Sequence, residues 1–349
     1  YGGEVAIADL NNDGLLDLIC TSNHGPDRLY LNLGGMQFRD ITQGSGMVED
    51  GGWSSGVTTA DVNGDGYLDV YICRDMYPEP ELRRNKLYIN QGDLTFVEMA
   101  EEYGLDNDQR SIQGYFLDFD RDNDVDLYLV NHPANPGYFS DRKVQFQIDT
   151  TQSSRLYENR GGMFVDITAQ TGLMTAGYSL SAMVTDLNND GWVDIYLCND
   201  FVDPDQLFLN NGDGTFMNVI DKSVGHITHS SMGSDAADID NDGWSDLLVL
   251  DMVPEDHYRR TVNMGGLKLE QFNMVKSSGG HHQYMMNSLQ WNRGLDSEGD
   301  VHFSEVGYLA GVARTDWSWS ALFSDFNNDG FRDLFITNGY RIDYRDMDA

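Results

Sequence analysis

Positive charge is scarce in this chain: 22 Lys and Arg stand against 57 Asp and Glu, a formal net charge of −35. A nucleic-acid backbone needs clustered cations, so that class of partner is excluded. Cysteine is nearly missing too. Cys20, Cys73 and Cys198 make an odd count without ligand-like spacing, and each closes an apolar run (Leu18-Ile19-Cys20, Tyr71-Ile72-Cys73, Tyr196-Leu197-Cys198). They read as buried free thiols in strands, not as a disulfide framework. No run of 18 apolar residues exists, so no membrane-spanning helix is expected. No nucleophile elbow, H-E-x-x-H motif or unique, non-repeating carboxylate pair occurs, and no catalytic residue is assigned. N-x-[ST] sequons are also absent, which fits a bacterial better than a eukaryotic secreted source. The chain opens at Tyr1 on a strand pattern, without Met or signal peptide, and is expected to be a piece of a longer protein.

What the sequence has is one acidic nine-residue loop, D-x-[DN]-x-D-[GN]-x-x-D, six times over. The first position is Asp9, Asp61, Asp118, Asp186, Asp238 and Asp325; the third is Asn11, Asn63, Asp120, Asn188, Asp240 and Asn327. The fifth is Asp13, Asp65, Asp122, Asp190, Asp242 and Asp329, and the ninth is Asp17, Asp69, Asp126, Asp194, Asp246 and Asp333. Side-chain oxygens at these four positions form a hard-oxygen cage for Ca²⁺. The seventh position (Leu15, Tyr67, Asp124, Trp192, Trp244, Phe331) is expected to add its backbone carbonyl. The sixth must reverse the chain at positive φ, hence Gly14, Gly66, Gly191, Gly243 and Gly330; Asn123 departs from Gly but tolerates that conformation. The third and fifth loops carry four carboxylates and should bind most tightly. Six Ca²⁺ ions would bring the net charge from −35 to −23.

An EF-hand begins in the same way but needs a bidentate Glu at position 12 and flanking helices. Position 12 here is Cys20, Ile72, Leu129, Leu197, Val249 and Ile336, and the flanks have period-two patterns. The loops are therefore not EF-hands. Because they recur with the repeat, the expected role of the ions is structural; a catalytic metal sits singly, beside a unique constellation.

The loops begin 52, 57, 68, 52 and 87 residues apart, a unit of about 50 residues with two insertions. One strand leads into each loop and a second leaves it. A third ends in Asn-x-Gly (Arg28 to Asn32, Lys86 to Asn90, Arg155 to Asn159, Gln206 to Asn210, Ser288 to Asn292), and a fourth starts at Phe38, Phe96, Phe164, Phe216 or Phe303. Four antiparallel strands per repeat favour β-propeller blades over a linear solenoid. The expected fold is all-β: a single propeller over residues 1–349, with blades at about 1–48, 49–105, 106–173, 174–226 and 227–312. The first half of a sixth follows at 313–349, and insertions fall at 131–154 and 252–286. The ring is expected to be closed by further chain or by a partner.

These motifs resemble the FG-GAP/VCBS repeat, the unit of integrin α-subunit propellers. Phe38 to Thr42, Asp118 to Tyr128, Gly225 to Gly233 and Thr315 to Trp319 are similar to a narrower branch, the large VCBS-repeat surface proteins of Bacteroidetes related to the cartilage-acidic-protein (ASPIC/UnbV) group. The resemblance implies a seven-bladed parent propeller and export to the cell surface or outer membrane, often with a lipoprotein anchor, or secretion. The C-terminal ASPIC-type domain of that group has no counterpart in this sequence.

If the strands are ordered as in such blades, the acidic loops and Asn-x-Gly hairpins share one end of each blade. The opposite end then carries the variable loops, which supply Tyr77, Tyr138, Phe139, Phe201 and Tyr258 beside Arg74, His132, Asp203 and His257. This mixture suits carbohydrate or peptide contact, or it covers the blade edges. Eight residues before the loops stand Tyr1, Trp53, Arg110, Tyr178, Ser230 and Trp317, followed by Gly2, Ser54, Ser111, Ser179, Ser231 and Ser318. Crowding of the innermost strands explains the small residues. The aromatics among the preceding positions suit sugar stacking or blade packing. In the second insertion Leu267, Leu269, Phe272 and Val275 have helix-like spacing, and His281-His282 reads as a polar turn. The leading expectation is a non-enzymatic, calcium-stabilised extracytoplasmic binding or assembly module with a protein or glycan ligand, a subunit of a bacterial surface complex. The alternatives are a polysaccharide-processing enzyme and a pure scaffold in an outer-membrane complex.

Overall fold

The computed structural model describes residues 3–47, 50–133, 150–175, 177–201, 203–263, 272–273, 276–277 and 280–339. The chain divides into two compact units, residues 1–176 and 177–349. The first holds three four-stranded antiparallel sheets, each a meander: β1 (Val5–Ala8), β2 (Asp17–Cys20), β3 (Arg28–Asn32) and β4 (Phe38–Asp40); β5 (Trp53–Ala60), β6 (Asp69–Asp75), β7 (Lys86–Asn90) and β8 (Phe96–Glu98); β9 (Ser111–Leu117), β10 (Asp126–Asn131), β11 (Arg155–Asn159) and β12 (Phe164–Asp166).

The second unit begins with a sheet of the same kind, β13 (Tyr178–Thr185), β14 (Asp194–Asp200), β15 (Gln206–Asn210) and β16 (Phe216–Asn218). Next come β17 (Ile227–Thr228), β18 (Ser234–Ala237), β19 (Asp246–Val249), β20 (Met252–Val253), β21 (Gln283–Tyr284), β22 (Ser288–Leu295) and β23 (Val301–Glu305). Four of these form the fifth sheet, in the order β18-β19-β22-β23. The sixth joins β24 (Asp316–Ser324) and β25 (Asp333–Asn338) in the order β20-β24-β25.

The fold is therefore all-β, with blades of β-propeller type, and the expected count of five and a half becomes six. The reason is β20: two residues from the start of the second insertion leave the fifth sheet and pair antiparallel with β24, Met252 opposite Trp317 and Val253 opposite Asp316. Likewise β17 and β21 pair in parallel and tie the far end of that insertion back to the fifth repeat. A helix, His257–Asn263, lies in the insertion. Of the spaced residues Leu267, Leu269, Phe272 and Val275, only Phe272 lies among the described residues.

The second strands β6, β10, β14 and β19 are buried along their whole length, whereas β2 is partly buried and β25 largely open. Alternation sends their side chains to both faces, and each face packs on a neighbouring sheet. Thus Val70 and Ile72 meet Ile19 and Leu29 of the first sheet, while Tyr71 and Cys73 meet Leu127 and Leu129 of the third. In the second unit Tyr196 and Cys198 meet Leu247 and Val249, and Leu248 packs on Ala321 and Leu334. Cys73 and Cys198 are buried, Cys20 is half-buried, and all three are free thiols.

Each meander puts the acidic loop and the Asn-x-Gly hairpin at one end of its sheet. The opposite end carries the second-to-third-strand loop and the start of the first strand. The serines at that start are more than small fillers. Ser111 Oγ donates to Asn131 Oδ1 at 2.9 Å, Ser179 to Asn199 at 2.7 Å and Ser318 to Asn338 at 2.8 Å. Ser54 and Ser231 donate instead to Asp27 and Asp205, each at 2.8 Å.

Candidate functional sites

The six loops share one hydrogen-bond plan. The sixth-position amide donates to the first-position carboxylate: Gly14 to Asp9 at 2.8 Å, Gly66 to Asp61 at 2.8 Å, Asn123 to Asp118 at 3.2 Å, Gly191 to Asp186 at 2.7 Å, Gly243 to Asp238 at 2.9 Å and Gly330 to Asp325 at 2.8 Å. The seventh-position amide donates to the fifth-position carboxylate, as in Leu15 to Asp13 at 2.8 Å and Phe331 to Asp329 at 2.9 Å. Asn123 adopts φ 71°, in place of glycine. Every loop has a second positive φ at position 4, where Arg121 (63°) and Asn189 (55°) stand among others.

The ninth-position Asp is the anchor. Asp194 is fully buried; its Oδ2 accepts the Leu187 amide at 2.9 Å and its Oδ1 accepts the Asn210 amide of the third strand at 2.9 Å. The same pair of bonds recurs at Asp17, Asp69, Asp126 and Asp246. Among the described residues, Asp333 has only the bond from the Phe326 amide, at 3.1 Å.

These loops offer oxygen donors suited to a hard divalent cation. Carboxylate oxygens of Asp118, Asp120 and Asp126 lie within 4.8 Å of one another, as do those of Asp238, Asp240 and Asp246. Asp118 Oδ1 and Asp186 Oδ1 are buried with no hydrogen-bond partner. Burial, with the negative charge of Asp120 and Asp124 beside it, pushes Asp126 up to about 7. Burial first, and then Asp122, also raise Asp120. A bound cation would relieve this crowding and give the orphaned oxygens a partner, so the residues fit the expected ion.

At the other blade end of the first unit, Asp75 is a hub. It meets Arg110 Nη1 at 3.2 Å and His132 Nε2 at 3.1 Å, and both partners come from the next repeat. Burial opposes its ionisation, but His132 and Arg110 more than offset that and lower its pKa. His132 is itself buried, with Nδ1 2.9 Å from the Pro133 carbonyl. Arg74 is also buried, its Nη1 2.6 Å from Asp50 Oδ1. Trp53 is half-buried, opposite Asp75 in register and edge-on to His24 at 4.6 Å. Tyr77 lies just beyond Asp75, and its carbonyl accepts from Arg83 Nη1 at 2.7 Å. Trp53 and His132 thus take part in contacts between repeats, and Arg74 is held within the second repeat by Asp50.

In the second unit Tyr178 is buried, edge-on to Phe201 at 5.1 Å, and its amide donates to Asp203 at 3.2 Å. Burial pushes Asp203 up to about 6. His257 begins the insertion helix, with Nδ1 3.1 Å from Arg260 Nη2, and Tyr258 beside it is exposed. Trp317 stands on β24, opposite Met252. Tyr138 and Phe139 lie outside the described residues, as do Tyr1 and Gly2.

Sequence reading did not find the hub role of Asp75, because its partners lie 35 and 57 residues away. It also took the third-strand Asn only as a turn former. Asn292 Nδ2 donates to Ser245 O at 3.1 Å and to Leu187 O of the preceding repeat at 2.9 Å; Asn90 reaches Leu10 O in the same way at 2.8 Å. The Leu-Tyr-x-Asn strand is therefore a bolt between blades.

Residues 9–72 and 186–249, each a loop with its flanking strands, match the model of the FG-GAP-like repeat. The repeats are FG-GAP-like. Cartilage acidic protein 1 of Homo sapiens is 31% identical over 134 residues, 37% of this chain and 20% of that protein. The Xenopus tropicalis protein of that name is 26% identical over 198 residues, 56% of this chain and 28% of its own length. The chain thus spans under a third of these curated relatives. Among solved structures, an Agrocybe aegerita lectin that recognises non-reducing terminal N-acetylglucosamine aligns with a TM-score of 0.52 and 16% identity. The alignment covers 95% of this chain and 74% of the lectin, a likeness of fold. Together the two matched stretches, the blades and the relatives support an FG-GAP-like β-propeller.

Proposed function

We propose that this FG-GAP chain is a calcium-stabilised extracytoplasmic binding or assembly module whose protein or glycan partner meets the blade ends opposite the acidic loops. One observation carries the reading: the loop end repeats the same oxygen cage six times, whereas the opposite end differs from repeat to repeat. Repetition suits a scaffold, and variation suits recognition. Millimolar Ca²⁺ outside the cytoplasm would fill sites of modest affinity, which supports reading the module as one of a bacterial cell surface or outer membrane.

The module acts by holding a partner, without catalysis. Affinity capture on native membranes in calcium, with the same capture in chelator as control, is the test. Calcium-dependent recovery of one defined surface partner is expected. Recovery of none, together with cleavage of a polysaccharide by the purified chain, would replace this reading with an enzymatic one.

A further inference from the structure

The second and fourth repeats close their second strands on the same residue type. Asp75 ends β6 and lies opposite Trp53 in register; Asp200 ends β14 and lies opposite Tyr178. Both carboxylates are buried, and each accepts the amide of the next residue. That residue takes positive φ, 64° at Met76 and 63° at Phe201. Bulky side chains hold this conformation only where their surroundings enforce it.

What surrounds the two carboxylates differs. Asp75 meets Arg110 and His132 of the following repeat. At the matching positions of the fifth repeat stand Ser230 and Met252. Asp200 is therefore left with the Phe201 amide, at 2.5 Å, and the Ser230 hydroxyl. Its other neighbours add negative charge. Asp203 follows in the same loop, and Asp251, fully buried, accepts the Ser230 amide on Oδ2 at 3.3 Å. Ser230 thus stands between two carboxylates. Beside it Asp205 accepts the Ser231 and Tyr196 hydroxyls at 2.8 and 3.0 Å. The remaining titratable groups are Tyr178 and His229, whose Nδ1 is 3.2 Å from Ser230 Oγ. Among the described residues no Lys or Arg pairs with any of these four aspartates.

A buried carboxylate without a cation is costly to ionise. Burial raises Asp200, and it raises Asp203 to about 6 and Asp251 to about 7, with the charge of Asp200 adding to both. Burial also lowers His229, so its ring supplies no positive charge near neutrality. Asp75 moves the other way: against burial, His132 and then Arg110 hold it down. Opening the junction would return its carboxylates to their ordinary value of about 4. The closed junction therefore binds more protons than the open one. Its stability is fully present at about pH 4 and is lost as pH rises through about 7.

We propose that the junction between the fourth and fifth repeats is held closed by protons on its buried aspartates, Asp200 foremost, and loosens as they ionise. Tyr178 and Phe201, edge-on at 5.1 Å, stand at this junction, so loosening alters the blade end opposite the acidic loops. The inference goes beyond the binding-module reading and is tested without a partner. Two amides report it: Ser230, bonded to Asp251, and Ser231, bonded to Asn199 O at 3.1 Å. The His132 amide, bonded to Arg110 O at 3.0 Å beside Asp75, is the control. The test is hydrogen exchange at single-amide resolution on the whole chain, in saturating calcium, at pH 5 and pH 8. After correction for the intrinsic rate, protection at Ser230 and Ser231 should fall at least about tenfold, while His132 stays constant. Asp200→Asn should remove most of that fall. Ser230→Arg, which supplies a cation where Arg110 does so for Asp75, should keep protection high at pH 8. Should Ser230→Arg fail to fold, Asp200→Asn decides alone. Equal protection of the parent chain at both pH values overturns the proposal, as does a fall that Asp200→Asn leaves intact.

Discussion

Asp194 and Asp333 hold the same ninth position but carry different loads. Removing the Asp194 side chain leaves the Leu187 and Asn210 amides unpaired in a buried setting, which costs about 2–4 kcal/mol. Asp333 accepts one amide from the described residues, so Asp333→Ala should cost roughly 1 kcal/mol. Urea unfolding of both variants in saturating calcium checks this, since each loses one loop carboxylate and only the backbone bonds differ. Equal losses would count against the anchoring role.

Asp251 allows a separate residue-scale prediction. It is fully buried and accepts the Met252 amide at 2.7 Å, and burial pushes its pKa up to about 7. Its unfolded value is about 3.9, so between these pH values the folded state binds more protons. Stability is therefore lost as pH rises from about 4 through 7, and the loss is complete above 7. Asp251→Asn should flatten part of the fall in melting temperature between pH 5 and 8. Loop affinity also changes with pH, but it does so in both proteins and cancels in the comparison.

Among the elements, the third strand does more than its pattern suggests. Asn292→Ala removes two carbonyl contacts and the acceptor for the Gly294 amide, at about 1.5–3 kcal/mol. The exposed clamp from Asn189 to the Gly243 carbonyl, 2.9 Å long, should cost at most about 1 kcal/mol when Asn189 becomes Ala. Shifts of the urea midpoint measure both. The loops and four-strand repeats were legible in the sequence because their periods, nine-residue motif and strand alternation, are local. Asn123 at positive φ followed from the same pattern. The parallel β17–β21 pair and β20 were not legible: two-residue strands have no period, and their partners lie 56 residues and 63 to 65 residues away. Arg74 and His132, read as candidate ligand contacts, are buried against Asp50 and Asp75, partners the sequence does not disclose.

For the whole molecule, the account makes the net charge of −35 a consequence of the repeat, because 20 of 57 acidic residues stand at loop positions 1, 3, 5 and 9. Without cations these carboxylates repel one another. A site with a Kd near ~10⁻⁴ M in ~1 mM Ca²⁺ adds about 1.4 kcal/mol. Three such loops in one unit give about 4 kcal/mol, worth roughly 8–16 °C in melting temperature for a body of this size. The third and fifth loops, with four carboxylates each, should fill first. Calorimetric melting of the whole chain in millimolar calcium and in excess EDTA tests this most directly. The account predicts a fall of at least about 8 °C on chelation, reversed by added calcium; an identical melt in both would contradict it.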